Sequence, residues 1–189
     1  MNKNFNILIA GVGGQGAVML TQIIAEACLI GGRDIKTSEL HGLSQRGGSV
    51  ETHIRFGKKI YSPLIAEGSA DLILSLEITE VLRTLHYANR KTKFLINAHY
   101  LPYYSNFSQK EIIKIIEKEI KGEKYIVPAS KICQEELQKE VLSGVYLLGY
   151  LSYKELIPLK PNLILKAISK VVPEKYLELN KKAFEIALN

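Results

Sequence analysis

Apolar residues near the start of the chain are grouped in a way that predicts a strand, a helix and a second strand. Residues 5–10 form a mostly apolar run with little alternation, as in a strand covered on both faces. From Ala17 onward, apolar residues recur at helical spacing, and Gly31-Gly32 is expected to end this helix at about residue 30. Residues 34–38 predict the next strand. Such a unit is normally a right-handed βαβ crossover in a parallel sheet.

A polar, Gly-rich loop leads into residues 49–56, where apolar residues and Thr alternate with charged residues and a histidine. This period of two predicts a strand with one buried and one solvent-exposed face. Residues 57–59 are typical of a hairpin turn, so a short returning strand is expected at residues 60–61.

The rest of the chain predicts further buried strands and a helical C-terminal region. Strands are predicted at residues 71–76, 93–98 and 124–127, and helices at 77–87, 109–121, 130–140, 143–155, 161–170 and 174–188. Ser108 and Glu111 form a capping-box pattern at the start of the helix from residue 109. We predict a single α/β domain over residues 1–189, a three-layer sandwich with a mostly parallel sheet and an antiparallel hairpin excursion. The helices of residues 129–189 are expected to pack on it.

The composition is that of a globular protein, and it narrows the class of function. The 189 residues are 47% hydrophobic and 23% charged, which argues against wholesale disorder. The apolar stretches are all interrupted before about 18 residues, and the N-terminal run lacks a signal-peptide pattern. We therefore expect a cytoplasmic protein with no membrane partner. The net charge of +6 comes mostly from Lys scattered among Glu in the second half, which is typical of solvated helices, so we expect no nucleic-acid partner.

The cysteines and histidines do not form a recognisable metal pattern. Cys28 and Cys133 are too few for a four-Cys zinc or iron–sulfur site. Cys28 lies among apolar residues of the first predicted helix, which indicates a packing role. His53, His86 and His99 have no metal-ligand spacing and are expected at the surface or as capping residues. The sequence therefore predicts no metal site on this chain.

Glycines at positions 11, 13 and 16 follow the first predicted strand and precede the first helix. This G-x-G-x-x-G spacing allows a tight turn and brings the backbone N–H groups of a helix N-terminus close to an anion. A dinucleotide site also needs an acidic residue about 20 positions further on. Glu39 comes near this position but opens a polar loop. A glycine turn needed only for close packing of helix and strand therefore stays open as an alternative.

The polar loop at residues 38–49 is the second candidate element. Arg46, beside Gly47 and Gly48, suits recognition of a phosphate, a carboxylate or the backbone of a partner. His41 could act as a general acid or base, but no second catalytic group has a fixed relation to it, so the catalytic residues stay unassigned. We expect both loops to lie at the carboxyl ends of parallel strands, where open α/β sheets bind ligands. The predicted binding residues are Gly11, Gly13, Gly14, Gln15, Gly16, Glu39, His41, Gln45, Arg46, Gly47, Gly48 and Ser49.

Taken in order, these blocks resemble a known family. The chain resembles the γ-type subunits of 2-oxoacid:ferredoxin oxidoreductases. The blocks that carry the resemblance are, in order, GVGGQG, a helix, KTSELHGLSQRGGSV, HIRFG, YSPLI and GSADLILSLE. HGLSQRGGSV is most similar to the small (β) subunit of the indolepyruvate branch, although Leu43 stands where that branch often has Met. The resemblance runs from residue 7 to residue 97 and continues more weakly at residues 144–149 and 180–183.

The resemblance implies a Rossmann-like α/β fold and a role as one subunit of a larger enzyme. The family oxidatively decarboxylates 2-oxoacids to acyl-coenzyme A and passes electrons through thiamine diphosphate and iron–sulfur clusters to ferredoxin. Thiamine diphosphate and the clusters lie on other domains or subunits, so this chain is expected to hold no cofactor and to be inactive by itself. Coenzyme A is the co-substrate, and the γ-type domain is associated with its side of the reaction.

Several alternatives stay open. The chain could be the γ subunit of a pyruvate or 2-oxoglutarate enzyme, or a free-standing oxidoreductase whose glycine turn binds NAD, FAD or FMN. The main hypothesis places coenzyme A and the thiamine- and cluster-bearing large subunit at the two loops, with Arg46 paired to an anionic group. An isolated preparation could also form a homodimer through the face meant for that partner.

Overall fold

A computed structural model describes residues 4–41, 47–102 and 106–188 of the chain. Its strands are β1 (Phe5–Val12), β2 (Asp34–His41), β3 (Ser49–Gly57), β4 (Leu72–Ser75), β5 (Lys93–Asn97) and β6 (Lys124–Val127). Its α-helices are α1 (Ala17–Ile30), α2 (Gln109–Glu119), α3 (Ala129–Leu137), α4 (Ser143–Tyr153), α5 (Pro161–Val171) and α6 (Glu174–Glu185). Short 3₁₀ helices cover Glu80–Tyr87, Glu140–Leu142 and Ile186–Leu188.

The strands form one six-stranded sheet in the order β2-β3-β1-β4-β5-β6. Strands β1, β4, β5 and β6 are parallel neighbours, whereas β3 runs antiparallel to both β1 and β2. β1 and β2 therefore point in the same direction, as expected for a crossover, but β3 lies between them. The predicted α/β class and mostly parallel sheet are confirmed.

The antiparallel excursion is formed by β2 and β3 rather than by residues 57–61. The prediction of a returning strand at residues 60–61 was wrong, because both residues lie outside the strands. The Asp34 carboxylate accepts the Ile60 N–H at 2.7 Å, and the Arg55 guanidinium donates to two carbonyl oxygens of the following loop at 3.0 and 3.2 Å. These bonds hold the chain against the sheet instead of returning it along a sheet edge.

Helices cover both faces of the sheet and create two hydrophobic cores. Helices α1 and α3 to α6 contribute to the core on one face. Helix α2 and the 3₁₀ helix Glu80–Tyr87 contribute to the core on the other. Alternate residues of β1 enter different cores, since Ile7 and Ile9 belong to the first and Leu8 to the second. This arrangement explains the continuous apolar run in β1 and confirms the three-layer sandwich.

Side-chain bonds set the start of two helices. Ser108 and Glu111 form the predicted capping box of α2, in which the Glu111 carboxylate accepts the Ser108 N–H at 2.8 Å. The helix predicted from residue 77 begins instead at Glu80 and is a 3₁₀ helix. The Glu77 carboxylate accepts the N–H groups of Thr79 and Glu80 at 2.6 and 3.1 Å, so it holds this segment in a turn before the helix starts.

Two glycines allow α4 to approach its neighbours closely. A Cβ at Gly149 would lie 2.2 Å from the Phe184 carbonyl oxygen of α6, and a Cβ at Gly144 would lie 2.8 Å from a methyl group of Leu20 on α1. The glycines of the block at residues 144–149 therefore serve helix packing. Within the described ranges, every helix is too short or too polar to span a bilayer.

Candidate functional site

The glycine turn after β1 is held by the side chain of Gln15. Its oxygen accepts the Val12 N–H at 2.8 Å, and its nitrogen donates to the Leu76 carbonyl oxygen at 3.5 Å. A Cβ on Gly11 would lie 2.9 Å from the Gln15 side-chain oxygen, so glycine at this position leaves room for the first bond. Gln15 is one of the predicted binding residues, whereas in the structure its amide is engaged within the protein.

The same turn leaves the start of α1 uncapped. Gly14 and Gly16 adopt φ angles of 104° and 80°, in the left-handed region that favours glycine. Gly16 is the N-cap of α1, and no side chain of the described residues caps this helix. Its first turn contains no acidic residue. With respect to the described residues, backbone N–H groups at this end therefore have no side-chain partner, as a site for an anionic ligand requires.

Main-chain hydrogen bonds join the glycine turn to the start of β3. The Gly13 N–H donates to the Gly48 carbonyl oxygen at 2.8 Å, and the Gly47 N–H donates to the Gly13 carbonyl oxygen at 3.4 Å. The β-ladder then pairs Val12 with Ser49. The two predicted loops thus meet at the carboxyl end of β1. The predicted residues brought together here are Gly11, Gly13, Gly14, Gln15, Gly16, Gly47, Gly48 and Ser49.

The other predicted residues lie on β2 or outside the described residues. Glu39 does not open a loop as predicted, because β2 continues to His41. The Glu39 side chain is exposed and lies opposite Thr52 of β3. For His41 only the backbone is described, at the end of β2. Gln45 and Arg46 lie outside the described residues, so their place in this surface stays a prediction.

A buried carboxyl group supports the surface from below. The Ser49 hydroxyl donates to Oε2 of Glu80 at 2.5 Å, and Glu80 is only 7% exposed. The Nε atom of Arg83, whose side chain is 67% exposed, lies 3.8 Å from the same oxygen. Burial raises the pKa of Glu80. The Ser49 hydrogen bond and Arg83 oppose this rise in pKa, and the carboxylates of Glu77 and Glu51 add to it.

Glu80 and its neighbour Glu77 are not among the predicted site residues. Glu77 is fully buried, and besides the N–H groups of the turn its carboxylate accepts the Leu101 N–H at 3.1 Å. It therefore organises the connections that follow β4 and β5. The available signal was SLEITE, where two acidic residues follow directly after a buried strand. Polar groups at this point of a parallel sheet are candidates for the site or for its support.

His53 is buried rather than exposed, and this part of the prediction was wrong. It is 1% exposed, because the loop after β3 covers the face that the alternation marked as solvent-exposed. Its Nδ1 atom accepts the Ile65 N–H at 3.0 Å, so Nε2 carries the ring hydrogen and donates to Glu51 at 2.8 Å. Both ring nitrogens are thus engaged within the fold, Nδ1 with the loop after β3 and Nε2 with Glu51 of β3 itself. His86 is exposed, as predicted.

A second polar region lies at the ends of β5 and β6, on the same edge of the sheet. Asn97 donates to the Ser130 hydroxyl at 3.0 Å and so fixes the start of α3 to the end of β5. A cavity of about 500 Å³ opens beside them and is lined in part by His99 and Lys131. Nδ1 of the half-buried His99 lies 2.8 Å from the Glu140 carboxylate, so this histidine is held by a partner in the fold.

The cysteines are not placed for redox or nucleophilic chemistry. Burial raises the pKa of Cys28 to about 12 and that of Cys133 to about 11. Both are therefore thiols at neutral pH, whereas the thiolate is the reactive and ligating form. The packing role predicted for Cys28 is confirmed by its complete burial. Among the described residues, no cluster of three His, Cys, Asp or Glu side chains could hold a metal ion.

The sequence is similar to known oxidoreductase subunits along its whole length. A family model described as pyruvate ferredoxin/flavodoxin oxidoreductase matches residues 6–189. The chain is 34% identical over 195 residues to the indolepyruvate oxidoreductase subunit IorB of Thermococcus kodakarensis. That alignment covers 98% of this chain and 95% of the relative.

Solved structures show the same fold. The γ subunit of a keto/oxoacid ferredoxin oxidoreductase from Geobacter sulfurreducens has a TM-score of 0.74 at 19% identity, covering 97% of this chain and 96% of that one. The 2-oxoglutarate:ferredoxin oxidoreductase from Magnetococcus marinus has a TM-score of 0.75 at 22% identity. This chain matches over 99% of its length to 31% of the Magnetococcus chain, so its fold also occurs as one part of a longer polypeptide.

Proposed function

The chain belongs to the pyruvate ferredoxin/flavodoxin oxidoreductase family, and on this premise we propose that it is the small subunit of an indolepyruvate-type 2-oxoacid:ferredoxin oxidoreductase. The observation that carries the proposal is the 34% identity to an indolepyruvate oxidoreductase subunit over nearly all of both chains. The chain itself is a subunit of a 2-oxoacid:ferredoxin oxidoreductase. The choice of indolepyruvate or another aryl pyruvate as substrate is the proposed step.

The binding surface is the glycine turn together with residues 47–49. We propose that it receives coenzyme A and closes onto the thiamine-bearing subunit. The main-chain bonds between Gly13 and Gly48 support this assignment, because they make one surface out of two loops. The surface also lies where the strand order reverses, between β1 and β4, which is where open α/β sheets bind ligands. The Magnetococcus enzyme was solved with coenzyme A and succinyl-CoA bound.

The part of this chain in the reaction is to bind and to orient. Thiamine diphosphate supplies the decarboxylation chemistry and iron–sulfur clusters carry the electrons to ferredoxin, and we place both groups on the partner subunit. The residues of this chain do not fit a cluster, since Cys28 and Cys133 are each fully buried as thiols. The uncapped start of α1 would instead receive a phosphate group of coenzyme A.

Glu80 and Arg46 would have different roles at this surface. Glu80 fixes Ser49 through a short hydrogen bond from beneath and therefore acts as a positioning residue. Arg46 would pair with a phosphate of coenzyme A or with a carboxylate of the partner, since a guanidinium forms strong, directed bonds to such groups. The described neighbours of Arg46 are anchored, because Gly47 and Gly48 are both bonded to Gly13.

The test of substrate and partner uses the reconstituted complex of this chain with its large subunit. Reduction of ferredoxin is measured with indolepyruvate, pyruvate and 2-oxoglutarate in the presence of coenzyme A. We expect kcat/KM for indolepyruvate to exceed the other two by at least about 10-fold, which corresponds to about 1.4 kcal/mol of transition-state binding. A preference for pyruvate or 2-oxoglutarate would instead assign the chain to one of those branches.

Arg46→Ala tests the surface itself. Loss of a charge-assisted bond should raise KM for coenzyme A or weaken subunit assembly by about 10-fold. Arg90→Ala, which removes an exposed guanidinium elsewhere on the chain, is the matched control and should leave both quantities unchanged. Wild-type values of both for Arg46→Ala would contradict the assignment.

The alternative of a free-standing nucleotide-binding oxidoreductase is favoured by one observation, the uncapped helix that follows the glycine turn. It predicts that the isolated chain binds NAD, FAD or FMN. Calorimetry on the purified chain measures this directly. Micromolar binding of any of these would replace the assignment of the glycine-turn surface to coenzyme A, and the absence of binding removes the alternative.

A further inference from the structure

We propose that a cavity at the amino edge of the sheet binds a phosphorylated small molecule with an apolar body, such as a nucleotide. The cavity has a volume of about 590 Å³ and lies between the first residues of β1 and β5 and the connection from α4 to α5. Phe5 begins β1 and Lys93 begins β5, so this edge is opposite to the glycine turn. The proposal is independent of the coenzyme A surface.

The cavity has an excess of positive charge. Its lining includes four cationic side chains and two acidic ones, namely Arg33, Lys91, Lys93, Lys160, Asp71 and Glu155. Lys93 is already paired, with its Nζ atom 3.3 Å from a carboxylate oxygen of Glu123. Within the described part of the chain, Arg33, Lys91 and Lys160 form no ion pair with a carboxylate. Three cations around one concave space therefore remain available to an anion.

Arg33 is held in place by the ring of Phe56, which in turn packs against Phe5. Its guanidinium carbon lies 5.4 Å from the centre of the Phe56 ring, and the Phe5 ring is 5.5 Å from the same ring. Stacking restricts a guanidinium while its N–H groups remain free to donate in the plane of the group. Arg33 can therefore meet a phosphate with little further loss of side-chain freedom.

The opposite wall is apolar and well ordered by its contacts. It is formed by Leu156, Ile157 and Leu159, which are buried, together with Pro158. The Ser152 hydroxyl donates to the Leu159 carbonyl oxygen at 3.0 Å and ties this wall to α4. A cavity of several hundred Å³ with apolar walls and a few converging polar groups is the usual form of a small-molecule site.

These features favour a phosphorylated small molecule over a bare anion. A phosphate group accepts several charge-assisted bonds and so can engage Arg33, Lys91 and Lys160 together. A bare anion would leave the half-buried Phe5, Pro158 and Pro161 of the lining in contact with water, whereas a base or another apolar body would cover them. The proposed ligand therefore combines a phosphate group with an apolar body.

The test is calorimetry on the full chain at about 0.15 M salt, where the Debye length is about 8 Å, with ATP and, separately, with inorganic pyrophosphate. We expect ATP to bind, and to bind at least about 10-fold more tightly than pyrophosphate because of the apolar wall. Lys160→Glu and Lys91→Glu should each weaken ATP binding by about 10-fold or more. Both side chains are exposed, so the fold should tolerate these changes, and far-UV circular dichroism checks it.

Lys118→Glu is the matched control, because it changes net charge equally at an exposed position on α2. It should leave ATP binding within about twofold of the unmodified chain, since surface charges beyond a Debye length are largely screened. No ATP binding at millimolar concentration would overturn the proposal, and so would equal losses for Lys118→Glu and Lys160→Glu. Equal affinities for ATP and pyrophosphate would overturn the assignment of the apolar wall.

Discussion

The hydrogen bond between Ser49 and Glu80 should be a measurable part of the stability of the glycine-turn surface. Ser49→Ala removes the hydroxyl that lies 2.5 Å from Oε2 of Glu80. The carboxyl group, 7% exposed, would then keep the Arg83 Nε atom at 3.8 Å as a weak and largely solvent-screened neighbour. A buried acceptor that is left without its hydrogen-bond donor costs about 2 kcal/mol in free energy of unfolding. For a chain of this length, that corresponds to a fall in Tm of roughly 4–8 °C.

The assay is urea unfolding at pH 7, followed by far-UV circular dichroism, on the single variants Ser49→Ala and Glu80→Ala and on the double variant. A direct bond predicts a coupling free energy of at least about 1 kcal/mol between the two changes. Ser169→Ala is the control, because its hydroxyl makes an exposed bond to the Leu165 carbonyl oxygen of α5, and it should change stability by less than about 0.5 kcal/mol. Additive effects of the two changes, or a Ser49→Ala protein as stable as wild type, would refute the reasoning.

Three further outcomes are expected. Burial raises the pKa of the Glu80 carboxyl group above its usual 4.5. The native state therefore binds the carboxyl proton more tightly than the unfolded state does. As a result, the free energy of unfolding falls as pH rises through the raised pKa. The stability of Glu80→Gln relative to wild type should therefore increase with pH in urea titrations from pH 4 upward; a constant difference would be the contrary result. In thermal unfolding, Gly149→Ala should cost about 1–3 kcal/mol through overpacking, because the new Cβ would meet the Phe184 backbone of α6. Gly144→Ala should cost less, because its Cβ would meet only the flexible end of Leu20. Equal costs for the two variants would contradict this explanation. Cys28 and Cys133 should resist a thiol reagent at pH 8 until urea is added, since burial raises their pKa to about 12 and 11; rapid labelling of the native chain would show that one of them is accessible.

The sequence was sufficient to predict most strands and helices, but not which strands and loops lie next to one another. Helix α1 begins and ends where predicted, since Gly16 and Gly31 mark its two ends. Strand β3 was predicted as a strand, but its period of two does not say which strands it pairs with, so its position between β1 and β2 was not foreseen. The burial of His53 was missed for a related reason, because the loop that covers it comes from a later part of the chain.

One feature of the candidate site was predictable from the sequence and another was not. The meeting of the two glycine loops was expected, because both follow or precede strands at one edge of a parallel sheet, and the bonds between Gly13 and Gly48 show it. The role of Glu80 could not be predicted. It depends on a 3₁₀ helix that brings this carboxyl group under Ser49, and sequence periodicity contains no information on such a contact between distant segments.

The complete pairing of β2 with β3 fixes both ends of the stretch that joins the two strands. The ladder runs from Asp34 opposite Gly57 to His41 opposite Val50, so both attachment points of the intervening stretch are fixed by strands on either side. Doubling the length of such a connection costs only about 0.6 kcal/mol in closure entropy. A protein engineer could therefore lengthen this stretch at little energetic cost while the two strands keep its ends in register.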